Sequence, residues 1–145
     1  MTTHQPSFGR VSLASSHWVE IEIDPGVDFT VDHCTEMEQL LAPSLQAPFV
    51  VLGHCRNHHT MQTDAMARSV TMPGCAAVAV ALYPTGNAEL SQALETMARV
   101  QRTPYRVFDD RDAASAWLER HLRAAREALA TDGIEIELPE RESPL

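Results

Sequence analysis

Three histidines and a cysteine lie together in the segment His54-Cys55-Arg56-Asn57-His58-His59. Imidazole and thiolate groups are good ligands for zinc and copper, so this segment is a candidate metal site, with His33 and Cys34 as further donors if the fold brings them near. Its spacing matches no zinc signature, which leaves open a solvated polar loop or a surface that contacts a protein. Apart from Zn²⁺ at this segment, no cofactor is expected. The candidate metal ligands are His54, Cys55, His58 and His59.

The same segment could support cysteine nucleophilic chemistry, with Cys55 activated by His58 or His59. Such a pair needs a third group that orients the base, and the sequence does not supply one. Other carboxylates have the spacing of solvent-exposed faces, where charges prevent incorrect strand pairing. These pairs are Glu20 with Glu22, Glu36 with Glu38, and Glu135 with Glu137. The sequence therefore predicts no enzyme activity.

The composition excludes several further classes of function. The chain has 145 residues, its 11 basic residues are all arginine, and its net charge is −9. The lack of lysine excludes Schiff-base and phosphate-loop lysine chemistry. The acidic charge disfavours nucleic acids and anionic membranes as partners. Three cysteines without a CxxC pair, no signal-peptide core and no apolar run of membrane-spanning length together predict a cytoplasmic protein.

Hydrophobic periodicity predicts the elements that must position these side chains. Period-two alternation predicts a hairpin over residues 10–24, and continuous apolar runs at 49–52 and 75–82 predict strands buried on both faces, the second of them central. A polar loop is predicted for residues 53–62. A short strand at 105–108 and another at 133–138 complete the set. Helices are predicted after the capping residues Thr30, Thr63, Asn87 and Asp109 or Asp110.

The resulting order, β-β-α-β-α-β-α-β-α with an extra strand at the end, predicts an α/β fold. An N-terminal hairpin followed by alternating helices and strands gives a mixed, largely parallel sheet. Residues 9–130 are predicted to form one domain, residues 1–8 a flexible tail, and residues 131–145 a C-terminal extension that includes the extra strand. Strand addition through residues 133–138 or through the edge of the hairpin would produce a homodimer.

One segment near the C-terminus resembles a known family. Residues 102–110 (RTPYRVFDD) combine a proline, an R-x-F strand and an acidic helix start, and Ala116-Trp117-Leu118 follow. This combination resembles the closing strand and helix of SpoIIAA-like bacterial proteins of the STAS superfamily, which have the fold of anti-sigma-factor antagonists. The resemblance implies a STAS-like domain that is non-enzymatic and acts in bacterial signalling through protein–protein interaction. Trp117 is expected to pack the last helix against the sheet.

The resemblance also implies a regulatory surface. Related domains carry an aspartate after the third strand and a phosphorylatable Ser or Thr at the start of the next helix. Here Gly53 and Met61-Gln62 stand at those positions, and Thr63 is the nearest hydroxyl. Thr63 is then either a phosphosite or a plain helix cap, and Thr63, Asp64 and Met66 mark the predicted partner surface. The expected partner is a kinase or a sigma-regulator type of protein, and the alternative is a small-ligand or metal-binding module at His54–His59.

Overall fold

The computed structural model describes the backbone of residues 1–142 and the side chains of residues 1–131. Within this part of the chain, strands and helices alternate in the following order. The elements are β1 (Thr2–His4), β2 (Gly9–Ser15), β3 (Trp18–Ile23), β4 (Asp28–Phe29), α1 (Val31–Leu41), β5 (Phe49–Cys55), β6 (Thr60–Met61), α2 (Thr63–Ser69), β7 (Cys75–Leu82), α3 (Ala88–Val100), β8 (Tyr105–Phe108) and α4 (Arg111–Glu142).

Six strands form one mixed sheet in the order β1-β2-β3-β5-β7-β8. β1, β2 and β3 pair antiparallel, whereas β3, β5, β7 and β8 pair parallel. The short strands β4 and β6 form a separate parallel pair. The predicted α/β class with a mixed, mostly parallel sheet is confirmed. β7 lies between β5 and β8, one strand from the edge, and is therefore interior but not central as predicted.

Helices cover both faces of the parallel half of the sheet. On one face, Met37 of α1 shares a buried cluster with Val51 of β5. On the other face, Leu118 of α4 shares a cluster with Leu52 of β5 and with the alanines at positions 77, 79 and 81 of β7. Small alanine side chains leave room for a helix to lie close to the strand, so α4 packs directly over β7. Strands buried in this way are continuously apolar, which is the pattern that predicted them.

Three of the predicted helix caps are present. The backbone amide of Thr30 donates to Nδ1 of His33 at 3.0 Å, at the start of α1. Oδ1 of Asn87 accepts from the amide of Leu90 at 3.1 Å and so caps α3. Oδ1 of Asp110 accepts from the amide two residues further on, also at 3.1 Å, at the start of α4. Each contact provides a partner for a terminal backbone or side-chain group that the helix itself leaves open.

The first eight residues are part of the domain and do not form the predicted tail. β1 pairs with the outer edge of β2, and Phe8 is fully buried with its ring 5.0 Å from that of Phe29 in an edge-to-face arrangement. Ser7 donates to Glu36 of α1 from its hydroxyl and from its backbone amide, and these hydrogen bonds lower the pKa of Glu36. Burial of one aromatic ring and pairing at an open edge therefore fix a segment whose local sequence is polar.

The strand predicted at residues 133–138 is wrong, because α4 continues through these residues to Glu142. A helix forms its backbone hydrogen bonds internally, whereas a strand needs a free sheet edge beside it. Residues 133–138 therefore offer no strand for the predicted homodimer, and the outer edge of β2 is already paired with β1. Although α4 is 32 residues long, no helix within residues 1–142 is apolar over enough of its length to cross a bilayer.

Phe8→Ala is expected to lower the free energy of unfolding by about 3–5 kcal/mol, because it removes a fully buried aromatic ring and leaves a cavity. Urea unfolding followed by circular dichroism measures the change. Gln5→Ala, at an exposed position of the same segment, serves as the control and is expected to change stability by less than about 0.5 kcal/mol. A loss below about 1 kcal/mol for Phe8→Ala would restore the tail interpretation.

Candidate functional site

The histidine-rich segment begins inside the sheet and not in the predicted loop. β5 continues through Cys55, where Gly53, His54 and Cys55 pair with Val80, Ala81 and Leu82 of β7. Successive side chains of a strand point to opposite faces. His54 accordingly lies on the face that α4 partly covers, and Cys55 lies on the face of the other three helices. The alternation of β5 therefore separates two of the predicted metal ligands.

Two other predicted ligands, Cys55 and His59, are buried in contacts with neighbouring polar groups. Cys55 is buried with its thiol near the carbonyl oxygens of Asn57 and Asn87, at 4.0 and 3.9 Å. His59 is buried and pairs through Nδ1 with Oδ1 of Asn57 at 3.0 Å, whereas His58 is exposed. Among the residues whose placement is described, no three His, Cys, Asp or Glu side chains are arranged to hold a metal ion. The predicted zinc site, including His33 and Cys34, is therefore not assembled.

His54 instead joins a hydrogen-bonded chain with Glu20 and Tyr83. Nε2 lies 2.8 Å from Oε1 of Glu20, and Nδ1 lies 3.0 Å from the Tyr83 hydroxyl. The His54 and Glu20 side chains are only 8% and 14% exposed. An ionised carboxylate can only accept, so Nε2 carries the proton towards Glu20, and in the neutral ring Nδ1 accepts from the Tyr83 hydroxyl. Glu20 also accepts from Trp18 Nε1 at 3.3 Å.

Three arginines surround this chain of side chains. Arg111, the first residue of α4, approaches Oε1 of Glu20 at 3.4 Å. Arg56 donates from Nε to Glu22 at 2.9 Å and stacks over the Tyr83 ring at 4.1 Å, while Arg10 approaches Glu22 at 3.9 Å. Glu20 and Glu22 lie on β3, which has a neighbour on each side. The prediction that they guard an exposed edge is therefore wrong.

The turn at residues 83–87 holds Tyr83 in place against the end of β5. The amide of Tyr83 donates to the carbonyl of Cys55 at 3.0 Å, and Thr85 donates to the carbonyl of Arg56 at 2.5 Å. A Cβ atom at Gly86 would lie 2.2 Å from the Cys55 carbonyl oxygen, so only glycine allows this approach. The turn therefore aligns the ends of β5 and β7.

An apolar cleft lies on the opposite face of the sheet. Two adjoining cavities of about 100 and 410 Å³ share Ile21, Met37, Val51 and Met72 as lining residues. The outer cavity, the one of about 410 Å³, opens between α1 and the chain that follows α2. The inner cavity ends at polar side chains, among them Tyr105, whose pKa burial raises well above its usual range. The cleft therefore combines apolar walls with a polar inner end.

The predicted partner surface around α2 is only partly exposed. Thr63 and Asp64 lie at the exposed start of α2, but Gln62 occupies the N-cap position, so Thr63 is not the predicted cap. Met66 is buried in a cluster with Val70 and side chains of α3, because it lies on the apolar side of the helix. Met66 is therefore a core residue, and its assignment to a partner surface is wrong.

Sequence reasoning missed Glu20, Tyr83 and Arg111 as members of one site. The alternation of β3 places Glu20 on the same face as Trp18, and this pattern was the available signal. Trp117 does pack α4 against the sheet as predicted, with its ring 5.7 Å from Phe108. Comparisons of the chain with protein-family models, with curated proteins and with solved structures find no match.

Burial gives His59 a defined effect on stability. It lowers the pKa of His59 below the ordinary 6.5, so the ring stays neutral in the folded state while the unfolded chain takes up a proton near pH 6.5. The stability from the neutral ring is complete above pH 6.5 and is lost as the pH falls towards the lower folded-state pKa. His59→Gln is therefore expected to flatten the dependence of unfolding free energy on pH between about pH 7 and pH 5.

Urea unfolding at a series of pH values measures this slope for each variant. Gln5→Ala, a change at an exposed residue that does not titrate, is the control and is expected to keep the wild-type slope. Equal slopes for the wild type and His59→Gln would mean that His59 takes up its proton at the same pH in the folded and the unfolded state, which would contradict the lowered pKa.

Proposed function

We propose that this chain is a non-enzymatic STAS-like domain that acts in bacterial signalling by binding a protein partner. The segment that carries the resemblance forms β8 and the start of α4, the closing strand and helix of the sheet. The order of strands and helices around a mixed sheet is in keeping with that family. Cysteines 34, 55 and 75 are all free thiols, which supports a reducing, cytoplasmic location.

The observation that carries this proposal is an acidic surface formed by α1, α2 and the β4–β6 pair. Exposed carboxylates stand on each of these elements: Asp28 on β4, Asp32 and Glu38 on α1, and Asp64 on α2. Arg68 bridges α2 to Glu38 at 2.8 Å and so joins the two helices into one surface. Opposite charges guide association and exclude incorrect partners. The partner we propose is therefore a protein with a basic binding surface, such as a kinase or a sigma regulator.

Thr63 is exposed beside Asp64 and is the hydroxyl that a kinase-type partner would reach. A phosphate there would add further negative charge next to Asp64 and strengthen attraction to a basic partner. The proposal does not require this modification, because the carboxylates already supply the charge.

Charge reversal tests the acidic surface. Purified wild type, the double variant Asp32→Lys/Asp64→Lys, and the control Glu119→Lys are used to capture proteins from the native host, followed by mass spectrometry and titration of the identified partner. Glu119 is an exposed carboxylate on α4, which packs on the other face of the sheet. We expect the double variant to weaken partner binding at least about tenfold and the control to keep it. A partner that binds both variants equally well would remove this surface from the proposal.

A second candidate function is the binding of a small apolar molecule with one hydrogen-bonding group. The apolar cleft between α1 and the chain after α2 favours it, because concave, mostly apolar surfaces are where small-molecule sites typically form. Ligand sites are typically apolar cavities with a few polar groups at fixed positions, and Tyr105 and His59 occupy such positions at the inner end. This is the small-ligand alternative, without a metal.

Gly53 provides the test, since it lies on β5 and lines the inner cavity. An added Cβ would meet Val80 Cγ2 at 3.7 Å, an ordinary contact, so Gly53→Ala should fold and retain the cavity, whereas Gly53→Val should fill part of it. We expect 1-naphthol to shift NMR signals of Ile21 and Val51 in the wild type and in Gly53→Ala. In Gly53→Val, with unchanged circular dichroism, these shifts should fall at least about fivefold. Equal shifts in all three proteins would place 1-naphthol outside the cleft.

A further inference from the structure

A polar groove lies on the same face of the sheet as α4. Within residues 1–131, α4 packs mainly over β5 and β7, and it meets the adjoining surface of β2 and β3 only at its edge. An open cavity of about 210 Å³ lies between the start of α4 and this surface. Its charged and polar lining includes Arg10, Glu20, Glu22, His54, Arg56 and Arg111. These side chains come from four separate parts of the chain, which the fold brings to one place.

The sign of the charge in the groove is opposite to that of the chain. Three arginines and two glutamates line it, whereas the whole chain carries a net charge of −9. All three arginines are substantially exposed, with 56% for Arg10, 45% for Arg56 and 54% for Arg111. A concave surface with excess cationic charge concentrates anions, because its walls reduce the screening by water.

The two carboxylates of the groove have different partners, since Trp18 and His54 serve Glu20 whereas the partners of Glu22 are the groove arginines Arg10 and Arg56. Glu20 accepts from Trp18 and from His54, which Tyr83 holds in turn. Glu22 accepts the short hydrogen bond from Nε of Arg56, which leaves both terminal nitrogens of that guanidinium outside this bond. The buried chain of side chains thus reduces the repulsion that Glu20 would exert on an incoming anion.

The remaining guanidinium donors suit an oxyanion. Arg10 and Arg111 approach the glutamates through one nitrogen each, at the long distances of 3.9 and 3.4 Å. A guanidinium has five N–H donors in a planar fork that matches phosphate and carboxylate oxygens. Neither arginine therefore uses its full donor set on the glutamates, and both line the same small cavity.

We propose that this groove binds a small anion through a phosphate or carboxylate group, held by Arg10, Arg56 and Arg111. A cavity of about 210 Å³ is smaller than the typical site of a drug-sized molecule, so it suits a compact anion. His54 is a positioning residue, because its hydrogen bond with Glu20 holds that carboxylate in place beside the arginines. The site is separate from the acidic surface and from the apolar cleft, and it does not depend on the function proposed for either.

Isothermal titration of the whole chain with inorganic phosphate and, separately, with citrate tests the proposal at low ionic strength. We expect saturable 1:1 binding of at least one anion, with affinity that falls as sodium chloride is added. Tighter binding of phosphate would assign a phosphoryl ligand, and tighter binding of citrate would assign a carboxylate. Arg10→Gln/Arg111→Gln is expected to weaken binding at least about tenfold, since it removes two of the three guanidinium groups.

Arg123→Gln is the matched control, because Arg123 is exposed on α4 away from the groove. It should bind as the wild type does, and thermal unfolding should verify that every variant remains folded. Absence of saturable binding of either anion to the wild type would overturn the proposal. Equal affinity of the wild type and the double variant would also overturn it, as would an equal loss in Arg123→Gln.

Discussion

Burial of β5 and β7 on both faces is the constraint on which the rest of the domain depends. The free energy of removing these apolar strands from water requires helices on each side, and a parallel arrangement then requires a crossover between successive strands. Among the elements of residues 1–142, α1, α2 and α3 cover one face and α4 covers the other. Because one helix covers less area than three, the second face keeps an open polar surface beside α4. The polar groove lined by Arg10, Arg56 and Arg111 follows from this unequal cover.

The parts of the fold that local sequence controls could be predicted. Apolar runs at 49–52 and 75–82 became interior strands, and Thr30, Asn87 and Asp110 became caps, because the decisive contacts lie within a few residues of one another. The N-terminal segment and residues 133–138 could not be predicted. In the first, Phe8 packs against Phe29, and in the second the choice between helix and strand depends on whether a free edge exists.

The candidate site was less predictable than the fold. Neighbouring histidines and a cysteine resemble a site in the sequence, but a strand directs adjacent side chains to opposite faces. His54 pairs with Glu20, 34 residues away, only because β3 and β5 lie side by side in one register. Likewise Met66 is buried by α3, which follows it in the chain by more than twenty positions. Contacts of this kind depend on tertiary packing, and local patterns do not contain them.

Gly86 has a consequence for the evolution of this chain. Its backbone lies so close to the carbonyl of Cys55 that any side chain would collide with it. A side chain at position 86 cannot be accommodated without moving the turn or the end of β5, so we expect related sequences to keep glycine there. In a set of homologues, glycine at this position would identify the members in which the ends of β5 and β7 are aligned as they are here. Loss of the glycine would then mark the lineages in which the His54–Tyr83 pairing was abandoned.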